Sequence, residues 1–155
     1  MMQEQQTIKL AIPATADYID LARLTLYGVA NKMGFSYEDI EDMKVAVAEA
    51  CNNAVLHAYP EGETGTVDLA YEMSENGLAI HIRDHGTSFS YEEPAADLAP
   101  NAQQELADIS VGGLGIYLMQ ALMDEVVVTN DEGTHVTLIK YLQTAASRHN
   151  GYQGI

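Results

Sequence analysis

The chain has 155 residues and a formal net charge of -16, long enough for one ordinary domain with its own core. Its cations are only Lys9, Arg23, Lys32, Lys44, Arg83, Lys140 and Arg148, which argues against direct nucleic-acid binding, since phosphate neutralisation needs a basic surface. With Cys51 as the sole cysteine there is no intramolecular disulfide and no cysteine metal cluster, and the tripeptide and tetrapeptide apolar runs stay well short of a membrane span. The N-terminus, Met1-Met2-Gln3-Glu4-Gln5-Gln6-Thr7, lacks the basic start and apolar stretch of a signal peptide, so a soluble cytoplasmic protein is expected.

In chain order, Gln6 to Ala11 alternates towards a short strand that Pro13 ends. Thr15 is positioned to cap a following helix that runs to about Met33, with Ala22, Leu26, Val29 and Met33 facing a core and Arg23, Tyr27 and Asn31 facing solvent. Gly34 breaks it. Ser36-Tyr37-Glu38-Asp39 forms a capping box for a second helix to about Ala58, in which Ile40, Met43, Val47, Ala50 or Cys51, and Ala54 recur at helical spacing. Pro60 to Gly65 is a turn. Thr66 to Met73 and Gly77 to Arg83 read as a hairpin, with Asp84 at the end of its second strand. From Thr87 to Ser110 the periodicity fades into a long acidic, proline-containing connection of the kind used as a lid. Gly113 to Leu122 is a helix, Glu125 to Thr129 a strand, Asp131-Glu132-Gly133 a turn and Thr134 to Tyr141 the last strand, followed by a frayed tail from Gln143. The expected fold is a single α+β domain, a two-layer sandwich with helices on one face of a mixed, mostly antiparallel sheet.

Three fragments carry chemistry. Glu49 and Asn53 are about one helical turn apart and so share a face of the second helix. A carboxylate beside a neutral amide can divide labour, one accepting a proton and the other ligating a hard cation through its carbonyl oxygen. Taken singly the pair is equally compatible with a solvated helix surface, although adjacent Asn52 and Asn53 in mid-helix are a small local cost. Asp84-His85-Gly86 places a carboxylate where the exocyclic amine of adenine could donate to it, with Gly86 allowing the base close to the backbone; a surface turn is the bland alternative. Gly112-Gly113-Leu114-Gly115 at a helix start suits an anion, and no lysine of P-loop type follows these glycines.

Together the fragments resemble the N, G1 and G2 boxes of the GHKL (Bergerat-type) ATP-binding fold shared by gyrases, MutL proteins and histidine kinases. Glu41 through Tyr59, Gly112 through Met119 and Leu21 through Ala30 are more similar still to one branch, the small anti-sigma-factor serine kinases, and the likeness runs from about Ile8 to Leu142. The resemblance implies a homodimer that uses ATP and Mg2+, restrains a sigma factor of the sigma-B type, and phosphorylates a serine of an anti-anti-sigma factor of the RsbV type, without membrane or direct nucleic-acid partners. By match, Glu49 is the base and Asn53 the magnesium ligand, Asp84 binds adenine, and Gly86, Gly112, Gly113, Leu114 and Gly115 line the nucleotide. Thr137 falls where the family places a hydroxyl near the adenine, and Arg23 matches a partner-contacting arginine of a sporulation relative. That relative also carries an arginine shortly before its glycines, where this chain has Ser110-Val111. The competing reading within the branch is a nucleotide-gated anti-sigma clamp with little kinase activity. Gyrase-type ATPases and sensor histidine kinases fit less well, since they pair the ATP domain with further segments.

Overall fold

The computed structural model describes residues 6–57, 65–86, 111–130 and 133–143. The expected lid (87–110), most of the 60–65 turn and the tail beyond Gln143 lie outside these residues. The elements run β1 (Gln6–Pro13), a single tight turn of helix at Ala16–Tyr18, α1 (Ile19–Met33), α2 (Tyr37–His57), β2 (Thr66–Met73), β3 (Gly77–Asp84), α3 (Val111–Leu122), β4 (Glu125–Thr129) and β5 (His135–Tyr141). The strands form one sheet in the order β1-β2-β3-β5-β4, and every described ladder is antiparallel. The helices cover one face of it, as the apolar periodicities require.

The helical stripes are buried as expected. Ala22, Leu26 and Val29 of α1 and Ile40, Met43, Val47, Ala50, Cys51 and Ala54 of α2 pack on Leu69, Tyr71, Leu78, Ile80, Ile82, Val136 and Leu138 of the sheet. Arg23, Tyr27 and Asn31 are exposed. Two local expectations change. Thr15 makes no side-chain cap, because the chain first closes the tight turn, with the Tyr18 N–H donating to the Thr15 carbonyl, and α1 begins only at Ile19. The third helix starts at Val111 instead of Gly113, so Gly112, Gly113 and Leu114 lie inside its first turn. At α2, by contrast, Ser36 Oγ accepts the Asp39 N–H at 3.1 Å, one arm of the expected box.

One buried polar contact ties the layers together: the Tyr71 hydroxyl on β2 donates to the Ala22 carbonyl of α1 at 2.8 Å. Such a bond contributes on the order of 1 kcal/mol, and more is lost if its partner is stranded. Burial keeps both Tyr71 and neighbouring Cys51 un-ionised, the Cys51 thiol being pushed up to about 12. A protonated thiol enclosed in this way is a packing residue and not a nucleophile.

The opposite face of the sheet carries polar residues. Alternation along β5 turns Val136 and Leu138 inward and His135 and Thr137 outward. There His81 Nε2 lies 3.1 Å from Glu72 Oε1, and His81 Nδ1 lies 3.1 Å from His135 Nε2.

Candidate functional site

α2 and α3 pack against each other so that Gly115 faces Glu49 and Asn53. A methyl group added at Gly115 would stand 3.1 Å from Asn53 Nδ2 and 3.1 Å from Glu49 Oε2, so hydrogen is the only side chain that fits without displacing one of them. Asn53 is 2% exposed, and neither Oδ1 nor Nδ2 has a hydrogen-bond partner among the described residues. An amide left in that condition costs about 1–3 kcal/mol, a penalty that a ligand taking its oxygen would remove. Glu49, one turn earlier on α2, remains half-buried. No group of three His, Cys, Asp or Glu side chains suited to a metal occurs among the described residues; a cation here would take the Asn53 carbonyl oxygen as one ligand, with phosphate and water oxygens beside it. That donor set suits magnesium, which keeps much of its water and binds with phosphate oxygens.

The second part of the site is the C-terminal end of β3. Alternation with Ile80 and Ile82 puts Asp84 on the helix-facing side of the sheet, where it is 2% exposed. Two backbone N–H groups converge on its Oδ1, Gly86 donating at 3.1 Å and Thr134 at 3.2 Å. The Asp84 N–H in turn donates to the Thr134 carbonyl at 3.1 Å, so the carboxylate is held at both ends of one cross-strand pair. Desolvation pushes its carboxyl above the ordinary carboxylate range, opposed by those two N–H groups and by His85. Gly133, preceding Thr134, has φ of +100°, and a Cβ on it would sit 2.3 Å from the Asp84 carbonyl oxygen. Only glycine allows that approach.

The structure therefore brings Glu49, Asn53 and Gly115 together, and separately gathers Asp84, Gly86, Gly133 and Thr134, both groups on the helix-facing side of the sheet. Two expected site residues are elsewhere. Thr137 is on the outer face, with Oγ1 3.3 Å from His81 Nδ1 and 3.4 Å from His135 Nε2. The expectation of a Thr137 hydroxyl beside the base is corrected by strand parity: Thr137 lies between inward Val136 and Leu138, and Thr134 is the threonine in contact with Asp84. Arg23 is exposed on α1, apart from both groups. Gly133 and Thr134 were missed by sequence reasoning. A glycine directly before a strand was the available signal, but its meaning depends on the β3–β5 register, in which Arg83 pairs with His135.

Residues 12–140 match the family described as the histidine kinase-like ATPase domain. The chain is 42% identical over 151 residues to the serine-protein kinase RsbW of Bacillus subtilis (strain 168), covering 97% of this chain and 94% of that one. It is 43% identical over 153 residues to the serine-protein kinase RsbW of Staphylococcus epidermidis, covering 97% and 96%. Among solved structures, the RsbU and RsbW domains of a Mycobacterium tuberculosis protein superimpose with a TM-score of 0.64 at 19% identity, over 90% of this chain and 34% of that one. At that identity the structural likeness speaks for the fold alone, whereas the sequence matches span almost the whole chain. The chain belongs to the histidine kinase-like ATPase domain family.

Proposed function

We propose that this protein is an ATP-dependent serine-protein kinase and anti-sigma factor of the RsbW type. The observation that carries the reading is the buried, unpartnered Asn53 amide beside Glu49 and against Gly115. Its relatives of near-equal length, named serine-protein kinases, support the reaction class. The substrate is a serine of an anti-anti-sigma factor of the RsbV type, and the restrained client is a sigma factor of the sigma-B type. The active form is a homodimer in the cytoplasm, a single ATP-binding unit in which residues 87–110 act as the lid. No described helix is long and apolar enough to cross a membrane.

Each residue then has a task that follows from its setting. Asp84 presents Oδ2 to the exocyclic amine of adenine, because its Oδ1 is already engaged by Gly86 and Thr134. Gly86 leaves room for the base. Gly112, Gly113, Leu114 and Gly115 form the first turn of α3, whose free N–H groups and dipole favour phosphate. Asn53 would hold magnesium through Oδ1, and the cation would supply neutralisation of phosphate charge. Glu49, accessible enough to meet a partner's hydroxyl, orients the serine and accepts its proton late in a loose transition state, in which positioning outweighs base strength. Exposed Arg23 on α1 contacts the protein partners.

Titration of ATP with and without magnesium, for the wild type and Asn53→Ala, tests the assignment. The wild type should gain affinity on adding magnesium and Asn53→Ala should not. Equal magnesium enhancement in the two proteins would remove Asn53 from the site.

A further inference from the structure

Strand β5 turns Val136, Leu138 and position 140 towards the helices, and position 140 is a lysine. A lysine at the end of an apolar face needs a destination, and here it has two. Lys140 Nζ donates to the carbonyl oxygen of Leu122 at 2.7 Å, and it lies 3.9 Å from Asp39 Oδ1. Leu122 is the last residue of α3, where carbonyls lack helical partners and a cation is favoured. Asp39 is in the first turn of α2, where an anion is favoured. One ammonium, on a side chain 12% exposed, thus joins the C-terminal end of α3 to the N-terminal end of α2.

We infer that Lys140 is a positioning residue that sets the register of α3 along α2, and through it the fit of Gly115 against Glu49 and Asn53. This rests on those residues forming the nucleotide site. From Leu122 back to Gly115 is about 10 Å along α3, and from Asp39 forward to Glu49 is about 15 Å along α2, at the ordinary helical rise. The two helices are therefore clamped at one end and meet the ligand at the other. Apolar contacts made by Ile116, Met119 and Met123 hold the helices together but are non-directional. A charge-assisted bond to a helix terminus is directional. The tolerance at the far end is small: a slip of one residue, about 1.5 Å, would carry the α-carbon of Gly115 past the pair it faces or replace it with a residue bearing a side chain.

The test compares the wild type, Lys140→Met, which keeps the stem and loses the ammonium, Lys140→Arg, and Leu10→Ala on the edge strand β1 as a destabilised control away from α2 and α3. Two readouts are taken: the NMR positions of the Gly115 amide and the Asn53 side-chain NH2 without nucleotide, and the dissociation constant for magnesium ATP. Lys140→Met should displace both sets of resonances and weaken ATP binding about tenfold, or 1.4 kcal/mol, with Lys140→Arg restoring most of each. Leu10→Ala should change neither. Unmoved resonances in Lys140→Met, or equal changes in Leu10→Ala, would overturn the inference. Failure of the wild type to bind ATP would instead overturn the nucleotide reading, while the resonances still decide the register claim.

Discussion

Substituting Gly115 by alanine separates stability from function. The residue is helical with no positive φ, so alanine favours the helix by about 0.8–1.0 kcal/mol. Against this, the new methyl meets Asn53 Nδ2 and Glu49 Oε2 at 3.1 Å each, tighter than ordinary van der Waals contact. Overpacking costs about 1–3 kcal/mol, and contact with two side-chain ends that can each give a few tenths of an ångström belongs at the lower end. The two effects nearly cancel, leaving a net loss of about 1 kcal/mol or less, a fall in Tm no larger than roughly 2–4 °C for a chain of this size. The same methyl displaces the Asn53 amide from the position in which it would hold magnesium. Affinity for magnesium ATP should drop by about tenfold or more, at least 1.4 kcal/mol. Calorimetric titration and thermal unfolding of the same preparations measure both. Wild-type affinity in Gly115→Ala, with or without magnesium, would refute the proposed closeness of α3 to the cation site.

Two further outcomes concern protons. The carboxyl of Asp84 is pushed up by burial, so its ionisation opposes folding as pH rises above the ordinary range. Asp84→Asn, whose amide oxygen can still accept from Gly86 and Thr134, should be more stable than the wild type near neutrality while losing adenine selectivity; a drop in Tm at neutral pH would contradict this. The imidazole of His135 is pushed below its ordinary value of 6.5 by burial and by His81 and Arg83, with Glu72 the carboxylate facing the pair through His81. The unfolded chain therefore takes up a proton first as pH falls through 6.5, and folding stability declines below that point until the folded ring also protonates. Denaturant melts of wild type and His135→Gln should diverge in this window, with the flatter profile in the variant.

The reach of sequence reasoning followed the strength of the repeating patterns. α2 was legible because its apolar positions recur over twenty-one residues, and that same phase placed Glu49 and Asn53 together. The hairpin of β2 and β3 was legible from its turn residues, and its end located Asp84. Strand β5 was found, but the face of each residue was misjudged at one point. Thr137 was assigned to the site although inward Val136 and Leu138 flank it, and a one-residue parity error moves a side chain to the opposite face of a sheet. Gly133 was read as an ordinary turn residue, since its need for φ of +100° comes from a strand fifty residues earlier in the chain. Lys140 was one of seven cations and had no place assigned to it, and only the inward parity of β5 beside α3 reveals what it holds.

Phosphotransfer decides the central proposal most directly. Terminally labelled ATP and magnesium would be incubated with a purified anti-anti-sigma protein of the RsbV type and either the wild type or Glu49→Ala, after confirming that both bind ATP. Label on a partner serine with the wild type, and its loss with Glu49→Ala, is the predicted result. Absence of label with the wild type despite tight ATP binding would contradict the kinase reading and leave a nucleotide-gated clamp.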